Sequence, residues 1–189
     1  MLKVELKGNH DMRGILQAFV LLVGLHGSLL AHGASAATVQ GGERESYVRE
    51  VMRLHASSDE TEALLLQLNY LLQEHVLLSG YQVGLSQPRD YVYSVSIAGS
   101  GVLDIREQQR DTRHGDVRVS SQQLPVFGIA PFFNYDCGLN RFECRISHAD
   151  SQTRLLRVVR EPEAARELVR VLSYLVRSMQ RNSQAIILE

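Results

Sequence analysis

Cys137 and Cys144 are the two cysteines of the 189-residue chain. They enclose Cys-Gly-Leu-Asn-Arg-Phe-Glu-Cys, an eight-residue loop between two predicted strands. In an oxidising compartment such a pair is expected to close as a disulfide. The competing chemistry, a redox or nucleophilic cysteine, needs a depressed thiol pKa, and neither a Cys-x-x-Cys pair nor an adjacent activating base stands beside either residue. Two turn segments hold a second set of reactive groups, His114-Gly115-Asp116 and His148-Ala149-Asp150. Two imidazoles and two carboxylates form a donor set for a divalent metal if those turns meet in space. Asp, Gly and His also populate polar turns for backbone reasons alone. The turn reading is adopted, so no metal or other cofactor is expected.

His55 and His75 fall on apolar helical stripes and read as partly buried, hydrogen-bonded histidines. No Gly-x-Ser-x-Gly elbow, His-Glu-x-x-His pair or phosphate-binding loop is present. A non-enzymatic protein is therefore expected. The alternative is a small periplasmic hydrolase using the His114 and His148 turns. A disulfide between Cys137 and Cys144 would pin a hairpin presenting Leu139, Asn140 and Arg141, and pinned exposed loops suit recognition because little ordering entropy remains to be lost. The apolar run Val126 to Phe133 is explained by a fully buried strand; otherwise Phe132 or Phe133 stands at a rim as an aromatic anchor.

Those residues must be positioned by elements read from periodicity. Glu43 to His55 follows a helical period, with Ala37 to Gly42 expected as a flexible lead-in. A second helix is expected from about Glu60 to Leu78, capped by Ser57 with Glu60 or Asp59 with Glu62, and stopped at Ser79-Gly80. Its stripe is Leu64, Leu65, Leu68, Leu71, Leu72, His75 and Val76, with Glu62, Asn69 and Gln73 opposite. After Gly80 the period becomes 2. Tyr91, Tyr93, Val95 and Ile97 share one face, and further strands are expected at 102–108, 117–121, 124–129, 132–135, 142–146 and 153–159. Pro162 opens a last helix with the stripe Ala165, Leu168, Val169, Leu172, Leu175, Val176 and Met179. The expected fold is α+β: two N-terminal helices, an antiparallel meander of six or seven strands and a C-terminal helix packed on the sheet. A curved sheet or a pleckstrin-homology-like barrel has the same element order, an analogy of architecture that implies no function.

Export is what makes the disulfide the natural state of the cysteines. Met12-Arg13, the apolar stretch Ile15 to Leu30, and small residues Ala34 and Ala36 at −3 and −1 make residues 12–36 a secretory signal peptide, cleaved after Ala36. The apolar stretch is 16 residues long, short of the about 20 that a membrane span needs. Residues 1–11 place Glu5 and Asp11 ahead of the basic start, so Met12 is the expected initiator. The mature part, residues 37–189, is expected to form a single domain without a transmembrane span. Both lysines, Lys3 and Lys7, precede it, leaving 17 arginines against 19 acidic residues. That near-neutral balance excludes the basic footprint of a nucleic-acid binder. The expectation is an exported protein of the bacterial periplasm or exterior, such as an immunity or inhibitor protein, that binds another protein: an effector, a hydrolase or an envelope component. The alternative within that class is an assembly subunit or chaperone of a cell-envelope or secretion system.

Overall fold

A computed structural model describes residues 36–99, 101–151 and 153–186. The signal peptide expected over 12–36 lies outside them except for Ala36, as do Ile187 and Leu188 of the apolar tail. Three helices, α1 (Ala36–Leu54), α2 (Glu60–Glu74) and α3 (Pro162–Ile186), accompany six strands. The strands are β1 (Arg89–Ile97), β2 (Val102–Asp111), β3 (Val117–Pro125), β4 (Phe133–Asp136), β5 (Glu143–His148) and β6 (Arg154–Val159). The chain is α+β. Its strands divide into two three-stranded antiparallel sheets, β1-β2-β3 and β4-β5-β6, in place of one meander, and no ladder joins β3 to β4 among the described residues.

Local chemistry explains most boundaries. The lead-in expected to be flexible is helical, since α1 begins at Ala36. It ends where Ala56 adopts φ 49°, with the Ser57 N–H bonded to Met52 O at 3.1 Å, a C-terminal reversal that glycine usually fills. Of the two possible caps for α2, Asp59 is used; its carboxylate accepts the Glu62 N–H at 2.7 Å. The segments expected as strands at 117–121 and 124–129 contribute to one strand, β3. It stops at Pro125 because Phe127 and Gly128 turn, with Gly128 at φ 79°. The run from Val126 to Phe133 is thus a turn and loop, buried only at Val126 and at Phe133 where β4 begins, and not the continuous buried strand expected. At Gly101, φ is 77° and a Cβ would lie 1.8 Å from the Phe127 ring, so only glycine fits beneath that turn.

Helix α2 packs on β1 and against α3, while α3 covers β4 and β5. Leu64, Leu68 and Leu72 of α2 meet Leu168, Leu172 and Leu175 of α3 in one core, all fully buried. Between these helices the Thr61 and Ser178 hydroxyls bond to each other at 2.8 Å, which satisfies both where water is excluded.

Helix α2 stops at Glu74, short of the Ser79-Gly80 stop expected, because the next residues are drawn into the sheets. His75 O accepts the Val159 N–H of β6 at 3.1 Å, and Leu77 O accepts the Tyr91 N–H of β1 at 2.9 Å. Asn69, expected on the solvent face, instead grips the same edge of β1. Its Nδ2 donates to Val95 O and its Oδ1 accepts the Val95 N–H, both at 2.8 Å, as a peptide group of a neighbouring strand would. Replacing Asn69 with Ala strands both Val95 groups. Urea unfolding should show a loss of about 2–3 kcal/mol. Gln73→Ala, on the exposed side of the same helix, should cost under about 0.5 kcal/mol.

Candidate functional site

The hairpin between β4 and β5 carries the most distinctive surface. Asp136 pairs with Arg145 in the ladder, so Cys137 and Cys144 come opposite each other one step further on. They form a disulfide with Cα atoms 4.2 Å apart. Cys144 is fully buried, which anchors the loop to the core side of the sheet. Three more bonds set its shape. Arg141 N–H donates to Gly138 O at 3.1 Å, Arg141 Nη1 reaches Asp136 Oδ2 at 2.6 Å, and Arg160 Nε donates to Gly138 O at 3.2 Å. Leu139 at the tip is 89% exposed, the most exposed of the large apolar side chains described. Asn140, Arg141 and Phe142 follow it, also solvent-exposed.

Beside the loop is a cleft of about 260 Å³, lined on one side by Leu77, Leu85 and Tyr91 and on the other by Phe142, Glu143, Arg145 and Arg157. Asn140 and Arg141 of the loop form part of its wall. Arg145 of β5 and Arg157 of β6 are directly opposite in register. Glu143 is only 9% exposed and pairs with the Arg145 Nε; its other oxygen is 3.8 Å from the Arg157 Nε, beyond hydrogen-bond reach. The Arg157 guanidinium lies over the Tyr91 ring at 4.3 Å, a cation–π contact that spans from β6 to β1.

The remaining predicted site residues are placed apart. Phe132 is 56% exposed, with the Arg177 guanidinium 5.4 Å from its ring centre. Phe133 is 6% exposed and packs edge-on against His148 at 5.4 Å, so its ring belongs to the core and has no free face at a rim. His148 is buried with both ring nitrogens engaged: Nε2 lies 2.8 Å from Ala130 O, and Nδ1 accepts the Asp150 N–H at 3.3 Å. His114 sits in the β2–β3 turn of the other sheet and pairs with Asp111, 3.0 Å from Nδ1. His114, Asp116, His148 and Asp150 are not gathered into a cluster; among the described residues no group of three or more His, Cys, Asp or Glu is placed to hold a metal ion. No helix of the described residues is long and apolar enough to cross a membrane.

Sequence reasoning missed Tyr91, Glu143, Arg145 and Arg157 as a group. The alternation of Glu143 and Arg145 places both on one face of β5. Nothing local aligns Arg157 with Arg145, because the β5–β6 register shifts between Ile146 and Ser147. No protein-family model, curated protein or solved structure matches the chain.

Two outcomes follow from these arrangements. The His114 ring, then the backbone N–H groups of Arg113 and His114, hold the Asp111 carboxyl at about 2, below its ordinary 3.8. A carboxyl depressed on folding stabilises the turn above the ordinary value, and that contribution disappears as pH falls from about 4 through about 2. The Asp111 carboxyl carbon followed by NMR should titrate near 2 in the wild type and closer to 3.8 in His114→Ala. Separately, reduction of Cys137–Cys144 reopens an eight-residue loop in the unfolded chain, so denaturant melts with and without reductant should differ by about 2–3 kcal/mol.

Proposed function

We propose that the chain is an exported, non-enzymatic protein-binding module of the bacterial periplasm or exterior, acting as an immunity or inhibitor protein acts. The observation that carries this reading is Leu139, a large apolar side chain 89% exposed at the tip of a disulfide-closed loop. Water gains nothing from such a residue, whereas a partner pocket that covers it removes apolar surface at about 25 cal/mol per Å². The loop is already ordered by its covalent closure and by Arg141 and Arg160, so docking loses little conformational freedom. Exposed Phe132 supplies a second apolar group of the type that anchors interfaces.

Export is supported by the disulfide, which persists in oxidising compartments, and by the signal-peptide pattern of residues 12–36. The described residues from Ala36 onward form one compact unit, which supports a single mature domain. The hydrogen bonds of His75 and Leu77 to β6 and β1 support the finer reading of the two sheets as one curved arrangement.

The test is capture from periplasmic extract with the immobilised full chain, alongside Leu139→Asp. A partner retained by the wild type and lost from Leu139→Asp or after reduction is the expected result. Recovery of no partner across a range of salt, or equal recovery by Leu139→Asp, would overturn the reading.

A further inference from the structure

The outer face of the β4-β5-β6 sheet carries a charge arrangement that its own residues leave incomplete. Arg145 and Arg157 are a directly opposed cross-strand pair of like charge, a placement that repels unless an anion sits between or beside the two. Glu143 supplies one carboxylate to both: one oxygen bonds the Arg145 Nε, and the other faces the Arg157 Nε at 3.8 Å, an ion pair without a hydrogen bond. The Arg157 Nε is buried and has no hydrogen-bond acceptor, a condition that costs free energy in a folded protein. Tyr91 fixes the plane of that guanidinium from below by its cation–π contact. Arg141 stands at the mouth, paired with Asp136 outside the lining, which leaves Arg145 and Arg157 to share the single carboxylate of the cleft.

We propose that this cleft is a binding site for an acidic side chain, Asp or Glu, of a polypeptide partner. Arg157 and Arg145 receive the carboxylate, and Tyr91 and Phe142 form the walls. Guanidinium recognises carboxylate through paired, charge-assisted N–H donors, so the ligand chemistry follows from the residue type. The size favours a side chain over a cofactor. At about 260 Å³ the cleft is smaller than the 300–1,000 Å³ typical of sites for drug-sized molecules. Location favours a polypeptide over a free small anion. Asn140, Arg141 and Phe142 belong both to the pinned loop and to the cleft wall, so a chain covering Leu139 passes over the opening. The inference rests on the protein-binding reading and adds the chemistry of the partner's contact residue.

The experiment measures fluorescence anisotropy of a short labelled peptide alternating Glu and Ser against the full chain, with its Gln counterpart as control. Binding of the Glu peptide that weakens with added salt, and a Gln peptide bound about tenfold or more weaker, is the expected result. Arg157→Met and Arg145→Gln should each weaken the Glu peptide by about tenfold or more, while Arg118→Gln on β3 leaves it unchanged. Arg157→Met also removes the contact with Tyr91, so its urea midpoint is measured alongside. Arg145 is the partner of the nearly buried Glu143, so the urea midpoint of Arg145→Gln is measured as well. Arg141→Gln, on the exposed loop at the mouth, should weaken the Glu peptide severalfold and keeps the test decisive should either variant fail to fold.

Equal binding of both peptides, no binding of the Glu peptide, or full affinity in Arg145→Gln overturns the proposal. Glutarate or inorganic phosphate binding as tightly as the peptide overturns the polypeptide occupant. In the capture experiment the two readings separate. A partner lost from Leu139→Asp but kept by Arg145→Gln and Arg157→Met leaves protein binding standing and removes the cleft. A Glu peptide still bound while capture ignores Leu139→Asp does the reverse.

Discussion

Everything in the architecture depends on how the facing edges of two small sheets are satisfied. A three-stranded sheet has two edges, and an unpaired row of backbone N–H and C=O groups near a core is expensive to bury. Here β1 and β6 are each an outer strand of their own sheet. The chain leaving α2 lies between them, accepting from Val159 with His75 and from Tyr91 with Leu77. Two residues upstream of the last α2 turn, Asn69 extends the same service along β1. One short stretch thereby terminates a helix, completes two sheet edges and sets the distance between the sheets. The cleft exists because that distance is held open beside Tyr91 while Arg157 reaches across it.

This dependence also explains what could be read in advance. Helices α2 and α3 announce themselves through stripes repeating every three or four residues, and β1 through the alternation of Tyr91, Tyr93 and Val95, because those patterns are local. The cysteine pair was equally legible, being close in sequence and flanked by strand-like segments. The end of α2 was not legible. Its apolar period continues through His75 and Val76, and only hydrogen bonds to strands that come much later in the chain pull those residues out of the helix. Asn69 misled for a related reason, since a polar residue opposite an apolar stripe normally meets water. The partition into two sheets hinges on the turn at Phe127-Gly128, hidden inside an apolar run that resembles a buried strand. The cleft was beyond reach because Tyr91, Glu143 and Arg157 belong to three separate strands and meet only after the register is fixed.

Electrostatics and packing make opposite demands at the sheet junction. Glu143 is almost wholly buried and must keep a guanidinium close, since removing the partner of a buried charge costs far more than the pair is worth. Arg157 is held by a ring face as much as by a carboxylate, and Tyr91 in turn donates its backbone N–H to Leu77. The same residues therefore serve the scaffold and line the opening. Arg145 orients Glu143 and the Tyr91 ring orients Arg157, so both are positioned before any ligand arrives.

The closed loop has a different relation to the scaffold. Both cysteines lie in one hairpin of one sheet, and the side chains from Leu139 to Phe142 contribute nothing to the core formed by α2, α3 and the sheets. The tip is thus a cassette whose length and sequence can be exchanged while the covalent clasp holds its two ends in register. A family of binders with different targets could be produced by grafting at this single position, with the helices and both sheets left as they are.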